Sequence, residues 1–298
     1  MEKFWNIWNS NGDVKVGNFT IQGFSIAAYR TNFYIKELGI MLDAGISAPF
    51  NASHIFITHA HADHIANIPF HLMCKRSEPR IIYCPKSAVE YIDNYIRSLF
   101  IATNSGADTW DTNKNHITVG VTAGQFIDTI IKGKRYTIEI IEAYHSVDSV
   151  GYGFIETKRK LKKEFIGKKG KEFKDLSDDQ KYDYIPNYEF CYIGDTSAQV
   201  LEDDMFSCYN HIMIECTFFS DDDTKQADKT KHIHWNQLKP YIEKHSNKMF
   251  YLYHFSQRYK SAAIVEFFKL QNMKNIIVLA NNHSEELIVE ENKVEDFS

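Results

Sequence analysis

Three histidines and an aspartate fall within six residues of the stretch ITHAHADHI, at His59, His61, Asp63 and His64, directly behind an apolar run. Imidazole and carboxylate are ligands that zinc accepts, and a hydrophobic core has no use for so many imidazoles together. A catalytic zinc keeps one coordination position open for water. Four side chains so close exceed what one such ion uses, and two metals sharing a bridging ligand fit better. Such a site needs further ligands, and polar residues that close apolar runs are candidates: His145 after IEIIEAY, Asp195 after FCYIG and His254 after MFYLY. Taken singly, each reads as a capping or hydrogen-bonded core residue; together with the cluster, three coincident strand ends favour a metal centre. The cysteines (Cys74, Cys84, Cys191, Cys208, Cys216) are scattered and form no CxxC pair, so any metal must be held by His and carboxylate.

Those residues need elements to position them. Strand character recurs through the first half of the chain, from VKVGNFTIQGFSIAAY through FYIKELGIMLDAG, HIFITH, RIIYCP and RYTIEIIEAYH to VGYGFIET, with helical patterns at 62–76 and 87–100. The strand 55–58 should stop at the first histidine, leaving His59 and His61 in a turn and Asp63 and His64 at a helix start. The second half alternates strands YEFCYIGD, HIMIECTF, KMFYLYHF and NIIVLA with helices at 235–244 and 261–270. Two strand-rich halves, each with helices, predict an α/β fold of two sheets packed face to face with helices outside, a four-layer αββα sandwich. Residues 168–186 fit neither sheet and read as an excursion from the body.

At 298 residues and 44 % hydrophobic content the chain can bury a full core. The first residues lack the apolar core of a signal peptide, and no run approaches the roughly 20 apolar residues of a membrane span, so a cytoplasmic setting and no membrane partner are expected. The net charge of −5 is uneven: residues 158–174 carry nine Lys/Arg against two Glu, a local +7 that leaves the remainder at −12. Such a run is either a solvated face or linker, or a surface for a phosphate-rich ligand.

The flanking text carries a resemblance. HxHxDH is the signature of the metallo-β-lactamase superfamily. Asp43 in IMLDAG, His145 in AYHSVDSVGY, Asp195 in YIGDTS, together with IECTF, HIHW and above all HFSQRY at 254–259, are similar to tRNase Z (ribonuclease Z). The basic stretch ETKRKLKKEFIGKKGKEFKDL resembles the arm of the short, plant-type enzymes. The resemblance, over about 23–259, implies one metallo-β-lactamase-type domain spanning 1–298, with 156–187 inserted as a protruding, flexible, tRNA-binding arm.

It implies that His59, His61 and His145 hold one zinc, that Asp63, His64 and His254 hold the other, and that Asp195 bridges; manganese could substitute. Asp63 would also orient or deprotonate the attacking hydroxide, and Glu215 and His232 would assist the leaving 3′-oxygen. Arg258 and Tyr259 would face the phosphate or base beside the break. Lys158, Arg159, Lys160, Lys162, Lys163, Lys168, Lys169 and Lys171 would hold precursor tRNA in a homodimer whose arms act in trans. Asp43 would buttress His64 or a neighbouring ligand, while His54, His71, His116, His211, His245 and His283 would be structural or surface residues. The sequence departs from the family pattern at Ile214, where a histidine is common, at Asn67, where a glycine is common, and in having no PxKxRN loop near AAYRTNF. The implied function is a zinc-dependent endoribonuclease that removes the 3′ trailer of precursor tRNA and leaves a 3′-hydroxyl. The alternative is a small-substrate hydrolase of the same superfamily acting on a phosphodiester, thioester or lactone.

Overall fold

The computed structural model describes residues 7–281 except 48–49, 74–75, 109–114, 170–173, 175, 203 and 205. Lys171, His283 and the acidic tail 282–298 therefore lie outside the described residues. Two seven-stranded sheets follow chain order. The first comprises β1 (Val14–Val16), β2 (Phe19–Ile26), β3 (Arg30–Ile35), β4 (Ile40–Leu42), β5 (His54–Phe56), β6 (Arg80–Pro85) and β7 (His116–Val121). The second comprises β8 (Phe126–Ile131), β9 (Lys134–Ala143), β10 (Ser149–Leu161), β11 (Tyr182–Tyr192), β12 (His211–Glu215), β13 (Met249–Tyr253) and β14 (Ile276–Val278). Each sheet opens with antiparallel strands and turns parallel, at β4 in the first and β11 in the second.

The parallel strands β4, β5 and β12 are almost continuously apolar because both of their faces are covered. Between the sheets, Phe33, Ile35 and Phe56 meet Tyr136, Ile138, Tyr152 and Phe154; the rings of Phe56 and Tyr152 lie edge to face at 5.2 Å. Outside the first sheet, α2 (Ile68–Leu72) and α3 (Val89–Thr103) lay Ile68, Leu72, Ile92 and Ile96 on Ile55 and Ile82. Outside the second, α6 (Trp235–Lys244) and α7 (Ser261–Leu270) lay Trp235, Leu238, Ile264 and Phe268 on Ile212, Ile214 and Leu252. The four-layer αββα order expected from the sequence is the one found.

Three details differ from the sequence reading. The helix expected over 62–76 is two, α1 (Ala62–Ile65) and α2, because in a continuous helix the ring of Pro69 would strike the carbonyl of Ile65. Asn67 occupies the break with ordinary backbone angles, φ −106° and ψ 8°, so this position has no need of glycine. Its side chain instead donates to the Gly45 carbonyl at 2.6 Å and accepts from Ser47 at 2.8 Å. Gly45 does need to be glycine, since a Cβ there would stand 1.9 Å from the Asp63 carbonyl oxygen and push α1 away. Strands β7 and β8, which the sequence reading passed over, close the neighbouring edges of the two sheets.

The third difference is the arm. Its stem continues the β10–β11 ladder, paired from Glu156↔Asn187 to Leu161↔Tyr182, and a short helix, α4 (Asp178–Lys181), turns back beside it. Aspartates of the returning segment lower the charge: across 156–187 there are ten Lys/Arg against seven Asp/Glu, a net +3.

Burial pushes the imidazole of His71, in α2, down to about 4, and that of His54, in β5, to the same level. The unfolded chain binds a proton near 6.5 and the folded one does not, so stability is full above pH 6.5 and falls as pH drops toward 4. For His71 the loss amounts to about 3 kcal/mol across that window. In urea titrations at pH 7 and pH 5, His71→Gln is expected to lose less stability on acidification than the wild type. An equal loss would mean that His71 takes up its proton inside the fold.

Candidate metal centre

Every residue of the centre leaves the C-terminal end of a strand: Asp43 after β4, Thr58 and the histidine cluster after β5, His145 after β9, Asp195 after β11, Glu215 at the end of β12 and His254 after β13. Parallel strands in adjacent sheets thus bring their ends to one place, as the sequence reading expected. Two of these residues, Asp43 (φ +55°) and His254 (φ +66°), sit in the left-handed region, which costs a non-glycine residue about 1–2 kcal/mol. The turn that follows each strand is bent to aim its side chain.

The imidazoles are held from behind. Thr58 Oγ1 gives its hydrogen to Asp43, so it accepts from His59 Nδ1 at 3.0 Å. His64 Nδ1 donates to Asp43 Oδ2 at 2.8 Å, and His145 Nδ1 to the Lys231 carbonyl at 3.0 Å. Thr217 Oγ1 donates to Glu215 Oε2 at 2.5 Å and accepts from His254 Nδ1 at 3.1 Å. With Nδ1–H committed to an oxygen, each ring carries its lone pair on Nε2, the tautomer that ligates a metal. His61 is reversed and offers Nδ1.

These lone pairs converge. His61 Nδ1 lies 3.1 Å from His59 Nε2 and 3.3 Å from His145 Nε2. Asp195 Oδ2 lies 3.8 Å from His59 Nε2, 3.5 Å from His64 Nε2 and 3.3 Å from His254 Nε2, while Asp63 Oδ2 is 3.5 Å from His64 and 3.6 Å from His254. His59 with His61 and His145, and Asp63 with His64 and His254, are both groups that could hold an ion. Among the described residues, the buried atoms His64 Nε2, His254 Nε2 and Asp195 Oδ1 have no hydrogen-bond partner, so the donor set fits divalent metal ions.

Electrostatics agrees. Burial alone would favour neutral carboxyls, yet His254 and His64 hold Asp195 and Asp63 below the usual carboxylate range. Burial would also discharge His64, but Asp195 and Asp43, one toward each ring nitrogen, raise it well above the usual imidazole value. His59, buried beside His64, is driven far below it. The field at the centre favours positive charge that its own imidazoles cannot all supply.

Glu215 is fully buried and five donors converge on it: the backbone N–H groups of Thr196, Thr217 and Ile233, the Thr217 hydroxyl and His232 Nδ1 at 2.8 Å. Burial works against a charge on His232, but the Glu215 carboxylate outweighs it and lifts the ring to about 9. The rings of His232 and His145 are 4.9 Å apart. Arg258 and Tyr259 both turn to Asp223, and the Tyr259 ring packs on Phe219 at 4.1 Å.

In the arm, Lys158 pairs with Glu189, Arg159 with Asp178, and Lys162 donates to the Asp179 carbonyl, while Lys160, Lys163, Lys168 and Lys169 are exposed. The five described histidines set aside in the sequence have partners or burial elsewhere, such as Asp93 for His116 and Asp204 for His245. Sequence reasoning missed Thr58, Thr217, Thr196 and Tyr192, whose hydroxyl donates to Asp43 at 2.6 Å. The signal was their place beside strand ends, which threonines and tyrosines share throughout the chain.

No family model matches the sequence. The chain is 30 % identical over 258 residues, 83 % of its own length and 88 % of the relative's, to tRNase Z TRZ1 of Arabidopsis thaliana. Among solved structures it is similar to the metallo-β-lactamase fold protein YhfI of Bacillus subtilis, with a TM-score of 0.56 and 12 % identity over 85 % of this chain and 92 % of that one. It is also similar to the short form of human tRNase Z, with a TM-score of 0.53 and 16 % identity over 85 % of this chain and 93 % of that one. These likenesses identify the sandwich as the metallo-β-lactamase fold.

Asp43 touches none of the inward-facing atoms, but it orients His64 directly and His59 through Thr58. Asp43→Asn is therefore expected to weaken metal retention about 10- to 100-fold, read by competition with a chelator. Retention equal to the wild type would show that packing alone orients the two rings.

Proposed function

The chain belongs to the tRNase Z family of metal-dependent endoribonucleases that process the 3′ end of tRNA, and we propose that its seven converging ligands carry two zinc ions for removal of the precursor's 3′ trailer. His59, His61 and His145 would hold one ion, Asp63, His64 and His254 the other, with Asp195 between them. The observation that carries this reading is the inward convergence of imidazole nitrogens fixed from behind, with the Glu215–His232 pair beside them. Ions bound there supply Lewis acidity, making water acidic enough to attack near neutral pH and polarising a phosphoryl oxygen.

The chain's own residues do the rest. Asp63, at the edge of the centre and only partly covered, orients the attacking water and takes its proton. Glu215 fixes the plane of His232 through Nδ1, which leaves Nε2 to give a proton to the departing 3′-oxygen of the tRNA. The attacked phosphate stays with the trailer and the tRNA keeps a 3′-hydroxyl.

The arm supports a homodimer acting in trans. β10 begins at the metal centre, where the Ser149 hydroxyl donates to the Asp195 carbonyl, and runs away from it to the arm. Twelve steps of extended chain place Leu161 about 40 Å from Ser149. An arm so placed holds RNA far from its own centre and presents it to that of a second copy. Among the described residues no helix is long and apolar enough to cross a membrane.

A labelled precursor tRNA tests the reading. The purified protein, carrying about two zinc ions per chain, is expected to release an intact trailer, and His232→Ala to keep its metal while cleaving roughly 10²–10⁴ times more slowly. Hydrolysis of a small diester without cleavage of precursor tRNA would favour the small-substrate hydrolase.

The arm is tested by mixing an arm-deleted chain with Asp63→Ala. Heterodimers are expected to regain part of the activity that neither parent has. Heterodimers that form by native mass spectrometry but do not cleave would show that the arm does not act in trans.

A further inference from the structure

Lys231 follows α5 (Thr224–Thr230) with φ +54° and ψ +51°, a left-handed cap that glycine takes without strain and lysine does not. Its two ends grip one ligand. The carbonyl accepts from His145 Nδ1 at 3.0 Å, and Nζ donates to the His145 carbonyl at 3.1 Å. The carbonyl contact needs only backbone, so it does not account for a long cation in a conformation that disfavours it.

An ammonium carries three hydrogens, and one is used here. Among the described residues no carboxylate forms an ion pair with Lys231. Its side chain lines a cleft of about 610 Å³ that also includes His145 and Lys86, with the carboxylates of Glu142, Asp148 and Asp228. That volume lies within the roughly 300–1,000 Å³ of pockets that enclose small ligands. In a cleft of mixed charge, a phosphate settles beside a cation, while the carboxylates suit the amino groups of a base.

We propose that Lys231 is a substrate contact: in the cleft beside His145 its ammonium holds an RNA phosphate flanking the scissile one. This inference rests on the reading of the protein as a tRNA 3′-processing enzyme. It adds a contact beside the centre to an interface whose basic run lies far away on the arm, and it fixes the strand close to where the bond breaks.

The test uses full-length Lys231→Gly, Lys231→Met and Lys231→Arg with precursor tRNA over a range of salt. Lys231→Gly keeps the carbonyl contact and relieves the left-handed strain, so its unfolding temperature and metal content are expected to be no lower than the wild type's. In both Gly and Met variants KM is expected to rise about fivefold or more, with most of the loss in KM rather than kcat. The log–log salt slope should flatten by about one, and Lys231→Arg should restore both. A neutral methylphosphonate placed one linkage 5′ or 3′ of the cleavage point identifies the phosphate: the contacted position weakens the wild type but adds nothing to Lys231→Met. Unchanged KM and salt slope in the Gly and Met variants would overturn the proposal, as would losses that track metal content and are not restored by Arg. Failure of the wild type to cleave precursor tRNA would sink the functional reading instead, and is seen without any variant.

Discussion

An imidazole can bind a metal only through a nitrogen that carries no hydrogen, and in this protein the oxygen behind His59, His64, His145 and His254 decides which nitrogen that is. The two sheets solve the problem in the same way. In the first, a carboxylate, Asp43, takes the hydrogen of a threonine, Thr58, which in turn accepts from His59; in the second, Glu215, Thr217 and His254 repeat the order. Both carboxylates are fully buried, so their own donors must be complete. Asp43 has the Thr58 amide and hydroxyl, His64 and Tyr192, and Glu215 has five donors. The Tyr192 contact also joins the sheets, since its ring belongs to β11 while Asp43 follows β4. Two layers that pack through apolar rings are tied at one end by a charge that neither can solvate alone.

The arrangement explains where strain sits. Asp43 and His254 adopt left-handed backbone angles immediately after parallel strands; the His254 side chain enters the centre, and that of Asp43 backs His64 and Thr58. Close-packed neighbours hold them there: Gly45 lets the chain after β4 press against the Asp63 carbonyl, and Ala44 donates its N–H to the His64 carbonyl at 2.7 Å. The loop carrying Asp43 and the short helix carrying Asp63 and His64 are thus one packed unit. The ligands' geometry is set by backbone contacts before any ion is considered.

Much of this was legible in the sequence, because ligands at strand ends leave a local mark. HAHADH after HIFIT, and single polar residues after IEIIEAY, FCYIG and MFYLY, needed only the period of the strands to be read, and the four-layer order followed from the alternation of strands and helices. Asp43 was readable as support for His64. Its partners Thr58 and Tyr192 were not, because their role arises from contacts across 15 and 149 residues that no local pattern encodes. The helix break at Asn67 was available in Pro69, whose ring cannot follow a helical Ile65. Arg258 and Tyr259 were expected to face substrate; their shared contact with Asp223 spans 35 and 36 residues, which no local pattern encodes. The arm's charge was read over 158–174, whereas the segment that follows brings Asp175, Asp178, Asp179 and Asp183.

The stem of the arm is a two-stranded continuation of the sheet, and that makes its length a quantised property. Side chains in such a ladder alternate between faces, so removing one residue from each strand turns the far end over and points every lysine beyond it to the opposite side. Removing two from each strand restores the facing and only shortens the reach by about 7 Å. Relatives that differ in arm length should therefore differ by paired, even steps in 156–161 and 182–187, with odd changes absorbed at irregularities such as the register shift between Phe154 and Ile155.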